Sequence, residues 1–270
     1  MDFCVASEAQ PQRAGGPHAS APRLTAQGRN FLARILGALR AFDPETQGLR
    51  FPLAELDECD RPLVDAILGS GARCAAAAGD PRREARETGF AGLWRCQVLA
   101  VDDATLFDWL EVCDVPGFVA ETIRAETRPS PHVQSHVRPA AIPETGGLAA
   151  LARRILAIAN LSRSGQDNVT VRLNPSQDPA SACAQLRRCF GDTGVELALE
   201  TAAGMARAHA TGRPGVWVVC HEAGEGVSCH AEIGDVPDAF RASRGAPGNS
   251  AERLERALEL LACEGRAPAV

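Results

Sequence analysis

One order of signals is written twice along this chain, and that duplication constrains the fold more than any other feature. In the first run, Phe31, Leu32, Ile35, Leu36 and Leu39 recur at three- and four-residue steps, the stripe of an amphipathic helix. A strand pattern follows from Leu49 to Leu53. Asp60 and Pro62 then open a helix that carries Leu63, Val64, Ile67 and Leu68 and stops at Gly69 and Gly71. Strand patterns run from Ala72 to Ala78, Arg83 to Gly89, Leu93 to Val101 and Thr105 to Val112, and Asp114-Val115-Pro116 closes the unit.

The second run keeps that order. Leu148, Leu151, Ile155, Ile158 and Leu161 form a helical stripe, Val169 to Leu173 alternates like a strand, and Asp178-Pro179 caps a helix bearing Cys183, Leu186 and Phe190 that ends at Gly191 and Gly194. Strands are expected over Val195 to Thr201 and Gly215 to Val219, with a hairpin turn at Gly224 to Gly226 and a close at Glu232-Ile233-Gly234-Asp235-Val236-Pro237. Phe51 with Leu173, Leu68 with Phe190, Trp94 with Trp217 and Pro116 with Pro237 fall at nearly one constant shift. Unrelated segments would not keep that register.

A chain of 270 residues holds two modest domains as readily as one. The repeat divides it into a disordered tail over 1–23, a first α+β repeat over 24–123, a Pro-rich linker over 124–147, a second α+β repeat over 148–241, and a linker with a last helix over 242–270. The expected fold is α+β: tandem pseudo-symmetric repeats, each a small antiparallel meander sheet with covering helices. Pro129, Pro131, Pro139 and Pro143 should keep the linker extended. Asn249 with Glu252 reads as a capping box for a helix with Leu254, Leu258 and Leu261.

The net charge of −6 excludes an electrostatic grip on phosphate backbones, so nucleic acid is not an expected partner. No stretch approaches the ~18 apolar residues of a membrane span, and Met1 to Ala21 lacks a basic head with an apolar run, so a cytoplasmic protein without membrane insertion is expected. In that compartment the ten cysteines should be free thiols.

No residue set completes a catalytic site. Gly69-Ser70-Gly71 and Gly212-Arg213-Pro214-Gly215 lack the remaining residues of phosphate loops and read as turns, and no Gly-x-Ser-x-Gly elbow occurs. His132 and His136 have the spacing of a helical zinc pair, but flanking prolines forbid the helix. Cys220-His221 and Cys229-His230 offer zinc-like ligand types across the expected hairpin, yet neighbours in a strand face opposite sides, so packed cysteines and exposed histidines are the preferred reading. Cys183 falls on the apolar stripe of its helix and reads as core, with Cys189 on another face. No enzyme activity, cofactor or metal is therefore expected. A thiol- or metal-binding accessory protein using Cys220, His221, Cys229 and His230 is the alternative.

The stretch Glu87-Thr88-Gly89-Phe90-Ala91-Gly92-Leu93-Trp94, with Glu111-Val112 and Val115-Pro116 beyond it, resembles the Glu-Thr-x-Phe-Pro-Gly-Val-Trp landmark of the hydrogenase expression/formation proteins of the HupH/HyaF type. The second copy offers Thr211-Gly212-Arg213-Pro214-Gly215-Val216-Trp217 and Ile233 to Pro237. The family's Leu-Gly-Glu-Gly-Glu-Val turn reads Leu68-Gly69-Ser70-Gly71-Ala72-Arg73 here, without either acid, and Phe190-Gly191-Asp192-Thr193-Gly194-Val195 in the second copy. The resemblance implies a chaperone-like accessory protein of [NiFe] uptake hydrogenase maturation. Its implied partners are the immature iron-sulfur small subunit, held before it joins the large subunit, and other maturation proteins. Glu87, Gly92, Trp94, Pro116, Gly215, Trp217 and Pro237 are the candidate client-binding and repeat-signature residues. The two tryptophans read as core by default, and as a client anchor if a face is bare.

Overall fold

In a computed structural model, residues 23–43, 46, 48–78, 81–127, 146–161, 167–173, 178–201, 204–224, 226–241 and 246–264 are described. The expected tail up to residue 22 and the linker prolines with His132 and His136 lie outside them.

The first repeat contains α1 (Ala26–Arg40), β1 (Leu49–Pro52), α2 (Asp60–Leu68), β2 (Ser70–Ala78), β3 (Arg83–Thr88), β4 (Leu93–Leu99), β5 (Thr105–Val112) and α3 (Gly117–Thr127). The second contains α4 (Gly147–Leu161), β6 (Val169–Arg172), α5 (Pro179–Phe190), β7 (Asp192–Thr201), β8 (Gly204–Thr211), β9 (Val216–Ala223) and β10 (Gly226–Ile233), followed by α6 (Ala246–Glu264). The order β1-β5-β4-β3-β2 is mirrored by β7-β8-β9-β10-β6. The halves join through β2 and β7, antiparallel from Cys74 opposite Leu199 to Ala77 opposite Glu196. The two expected meanders are thus one ten-stranded sheet, with β1 and β6 at its edges.

Period-2 alternation sends each strand's residues to opposite faces. One face carries separate cores: Leu93, Leu110 and Val112 pack with α1, α2 and α6, while Val216, Val218, Ala231 and Ile233 pack with α4 and α5. The other face is shared. There Trp94, Cys96, Trp217 and Val219 cluster with Phe118 and Val119 of α3 and with Phe240, over a bed of alanines from β2, β3 and β8.

Four expectations need correction. Residues 124–127 belong to α3 and are not extended linker; Phe118, Val119, Thr122 and Ile123 form its inward stripe, and it ends before Pro129. Strand β8 has no counterpart in the pattern reading, because Ala206, Ala208 and Ala210 alternate inward with a residue of weak strand propensity. Register pairs Phe51 with Leu110 and Val171 with Ala231, so Val171 rather than Leu173 is the partner of Phe51 in the repeat. The last helix begins at Ala246, with Pro247 in its first turn, where a missing N–H costs nothing. It packs on α1, with Ala251 and Leu254 buried and Arg40 paired to Glu255 at 2.5 Å.

Candidate functional site

The signature residues close equivalent turns in the two repeats. Thr88 Oγ1 accepts from Phe90 N at 3.2 Å, and Thr211 Oγ1 accepts from Arg213 N at 3.2 Å. Gly92 and Gly215 both sit in the left-handed region, at φ +79° and +69°, and their carbonyls accept from Cys113 N at 3.0 Å and Gly234 N at 2.8 Å. Pro116 and Pro237 are buried, and their carbonyls accept from Val119 N and Phe240 N, both at 2.9 Å. In the first repeat α3 grows from that turn; in the second it stops after one 3₁₀ turn, Asp238–Phe240. Glu87 accepts from Gly92 N at 2.9 Å. Burial, with Asp114 nearby, pushes its carboxyl above the ordinary range. Trp94 is 2% exposed and Trp217 1%, so neither presents a bare face to a partner.

Two buried carboxylates do a job that the sequence reading did not assign. Glu111 lies opposite Trp94 in the sheet, and Glu232 lies opposite Trp217. Glu111 accepts from Gly117 N at 3.0 Å and Trp109 Nε1 at 3.0 Å and faces Arg50 at 3.4 Å. Glu232 accepts from Asp238 N at 2.6 Å and Asn168 Nδ2 at 2.7 Å, with His230 at 3.4 Å. Each carboxylate ties the end of its outer strand to the turn that leaves the sheet. The signal was present in the sequence as two acids at the end of apolar strands.

Both outer edges are half covered. Strand β1 pairs β5 only over Trp109 to Val112, and β6 pairs β10 only over His230 to Ile233. Among the described residues, Thr105 to Asp108 and Gly226 to Cys229 therefore have a strand neighbour on one side alone. The first of these free segments carries Leu106 and Phe107, 54% and 68% exposed, next to Val101 on the adjoining turn; the second carries Val227 at 44%. Exposed apolar side chains on an open strand edge suit an added strand.

The hairpin of β9 and β10 brings Cys220 and Cys229 together but not their histidines. Cys220 and Cys229 are direct register partners with Sγ atoms 2.6 Å apart, on the face that packs against α5, and Cys183 of α5 reaches Cys220 at 3.1 Å. His221 and His230 stack on the opposite face with ring centroids 5.4 Å apart. The four-residue set is thus split by strand alternation, and a third thiol joins instead. Hydrogen bonds with Cys183 and Cys229, with His230 and Arg187 nearby, outweigh burial and hold the Cys220 thiol down to about 6. Cys183 is pushed up by its hydrogen bond to Cys220 and by burial, and Cys229 chiefly by burial.

A family model described as "HupH hydrogenase expression protein, C-terminal conserved region" matches residues 26–127 and again 148–261. The hydrogenase expression/formation protein HoxQ of Cupriavidus necator is 36% identical over 102 residues, covering 38% of this chain and 34% of its own. HoxQ of Azotobacter vinelandii is 33% identical over 98 residues (36% and 35%), and HupH of Rhizobium leguminosarum bv. viciae 30% over 93 (34% and 33%). The match spans about a third of the length of these relatives. The solved structure of the hydrogenase expression protein HupH from Thiobacillus denitrificans aligns with TM-score 0.33 at 21% identity, over 37% of this chain and 89% of that one.

Proposed function

The chain belongs to the HupH hydrogenase expression protein family, and from that premise we propose that it is a non-enzymatic accessory protein of hydrogenase maturation that holds an immature subunit. The client is the iron-sulfur small subunit of a [NiFe] hydrogenase, and the work is done in the cytoplasm. Among the described residues no helix is long and apolar enough to cross a membrane, which is in keeping with that place of work.

The observation that carries the reading is the open segment Thr105 to Asp108 of β5. Its outward backbone groups, which pair with no strand among the described residues, accept an extended client strand, and Leu106 and Phe107 supply apolar anchors. Asp102 and Asp103 on the adjoining turn favour a client segment with basic residues. The signature tryptophans act through the core, not as contacts, since both are buried.

Co-expression with a tagged hydrogenase small subunit tests this. The full chain is expected to co-purify, and Phe107→Arg is expected to cut recovery of the complex while moving stability by less than about 0.5 kcal/mol, as for an exposed site. Absence of any complex would refute the client. A complex untouched by Phe107→Arg and Leu106→Asp would refute the surface.

A further inference from the structure

We propose that Cys183, Cys220 and Cys229 form a three-thiolate site for a soft d¹⁰ metal ion, zinc(II) or copper(I). The site lies on the helix-covered face of β9 and β10, and it neither uses nor requires the client-binding edge. The three residues come from α5, β9 and β10, and their Sγ atoms all lie within 4.8 Å of one another. Zinc–thiolate bonds of about 2.3 Å place tetrahedral sulfur ligands about 3.8 Å apart. The sulfurs at 2.6 and 3.1 Å therefore need to part by about 1 Å around such an ion. Side-chain rotation supplies that, since Cys220 and Cys229, midway along the hairpin, are only half-buried.

Convergence of three soft ligands selects for thiophilic ions over the hard cations that prefer oxygen. The histidines on the other face cannot complete the set, so the ion is three-coordinate if cuprous and, if zinc, keeps a fourth position open to an exogenous ligand. The chemistry is particular to the second repeat. The register partners at the same place in the first are Gln97 and Asp108, and neither carries sulfur.

The rival state is a disulfide between Cys220 and Cys229, which two opposed strand residues can form and which leaves Cys183 without a role. Full-length protein, made without an affinity tag, kept anaerobic and reduced and then stripped, is offered zinc(II) in one arm and copper(I) in the other. One equivalent is expected to bind in at least one arm. Cys183→Ser, Cys220→Ser and Cys229→Ser should each weaken binding by at least about tenfold. Cys189→Ser, on α5 but outside the cluster, should leave it unchanged. Because a serine variant can fold poorly, bound metal should also shield these three thiols of the unaltered protein from alkylation, mapped by mass spectrometry. Uptake of neither ion, uptake that survives Cys220→Ser in folded protein, or alkylation unaffected by metal overturns the proposal.

Discussion

The two repeats build the same frame and furnish it differently. Each sets a Thr-Gly-x-x-Gly-x-Trp turn against a buried glutamate and a buried proline. Around that frame the matching positions diverge. At the outer strands the first repeat uses charge: Arg95 bridges Asp65 at 3.0 Å and Asp108 at 2.7 Å. The second places Cys220, Cys229 and Cys183 in the same region under α5. The first extends its last turn into α3 and receives α6; the second stops at a 3₁₀ turn, and its separate core packs under α4 and α5. What both copies keep is what holds a strand end to its turn. Part of what differs lies on strand segments away from that turn, where side chains are free of that duty.

If the frame is what the copies share, its centre should be the costliest place to cut. Trp94→Ala and Trp217→Ala are each expected to lower unfolding free energy by about 3 to 5 kcal/mol, measured by urea denaturation. Both rings belong to one core that spans the two repeats, so either loss should broaden or shift a single transition and not unfold one half alone. Trp94→Phe should recover most of the loss, because the buried Trp94 Nε1–H has no hydrogen-bond partner to lose among the described residues. Independent transitions for the halves would break the comparison at its root.

The glutamates come next. Glu111→Ala leaves Gly117 N–H and Trp109 Nε1–H without their acceptor and Arg50 without its buried partner, for an expected loss of about 3 kcal/mol. Glu232→Ala, with one backbone and one amide donor, should cost about 2 kcal/mol. Burial opposes ionisation of Glu232, but hydrogen bonds from His230, Asp238 N and Asn168 outweigh it and hold the carboxyl below its ordinary range. A carboxyl lowered in the fold stabilises fully above its unfolded pKa of about 4.3 and loses that contribution as pH falls through the folded value. Acid titration should therefore erode the stability of the unaltered protein more steeply than that of Glu232→Gln. Equal erosion would remove the ionised carboxylate from the second frame.

These contrasts also mark what was legible in the chain. Apolar periodicity and glycine punctuation located every described helix but α3, and most strands, because those signals are local. The duplication was legible for the same reason: its landmarks, Gly92 with Gly215 and Trp94 with Trp217, carry strong local demands. Strand β8 was not, since alternating alanine carries little strand preference and its burial depends on neighbours across the sheet. The fusion of two meanders through β2 and β7 was equally hidden, because no local rule says which edge meets which. The thiol cluster shows the same limit: Cys183 and Cys220 are 37 residues apart, and only the packing of α5 on β9 brings them together.

The smallest effect separates the copies most finely. Gly92 and Gly215 share a left-handed backbone, which costs a residue with a Cβ about 1 to 2 kcal/mol. Their surroundings differ. A Cβ on Gly215 would come no nearer than 3.5 Å to the carbonyl oxygen of Gly234, an ordinary contact, whereas one on Gly92 would sit 3.0 Å from Pro247 Cγ at the start of α6. Gly215→Ala is thus expected to cost about 1 kcal/mol and Gly92→Ala about 2 kcal/mol by thermal or urea unfolding. Pro247→Ala should erase the difference, so that a cycle of Gly92→Ala with Pro247→Ala yields a coupling of about 1 kcal/mol, while Gly215→Ala with Pro247→Ala is additive. Additivity in both cycles would mean that α6 does not press on the first turn, and the asymmetry between the copies would then have to arise within the sheet.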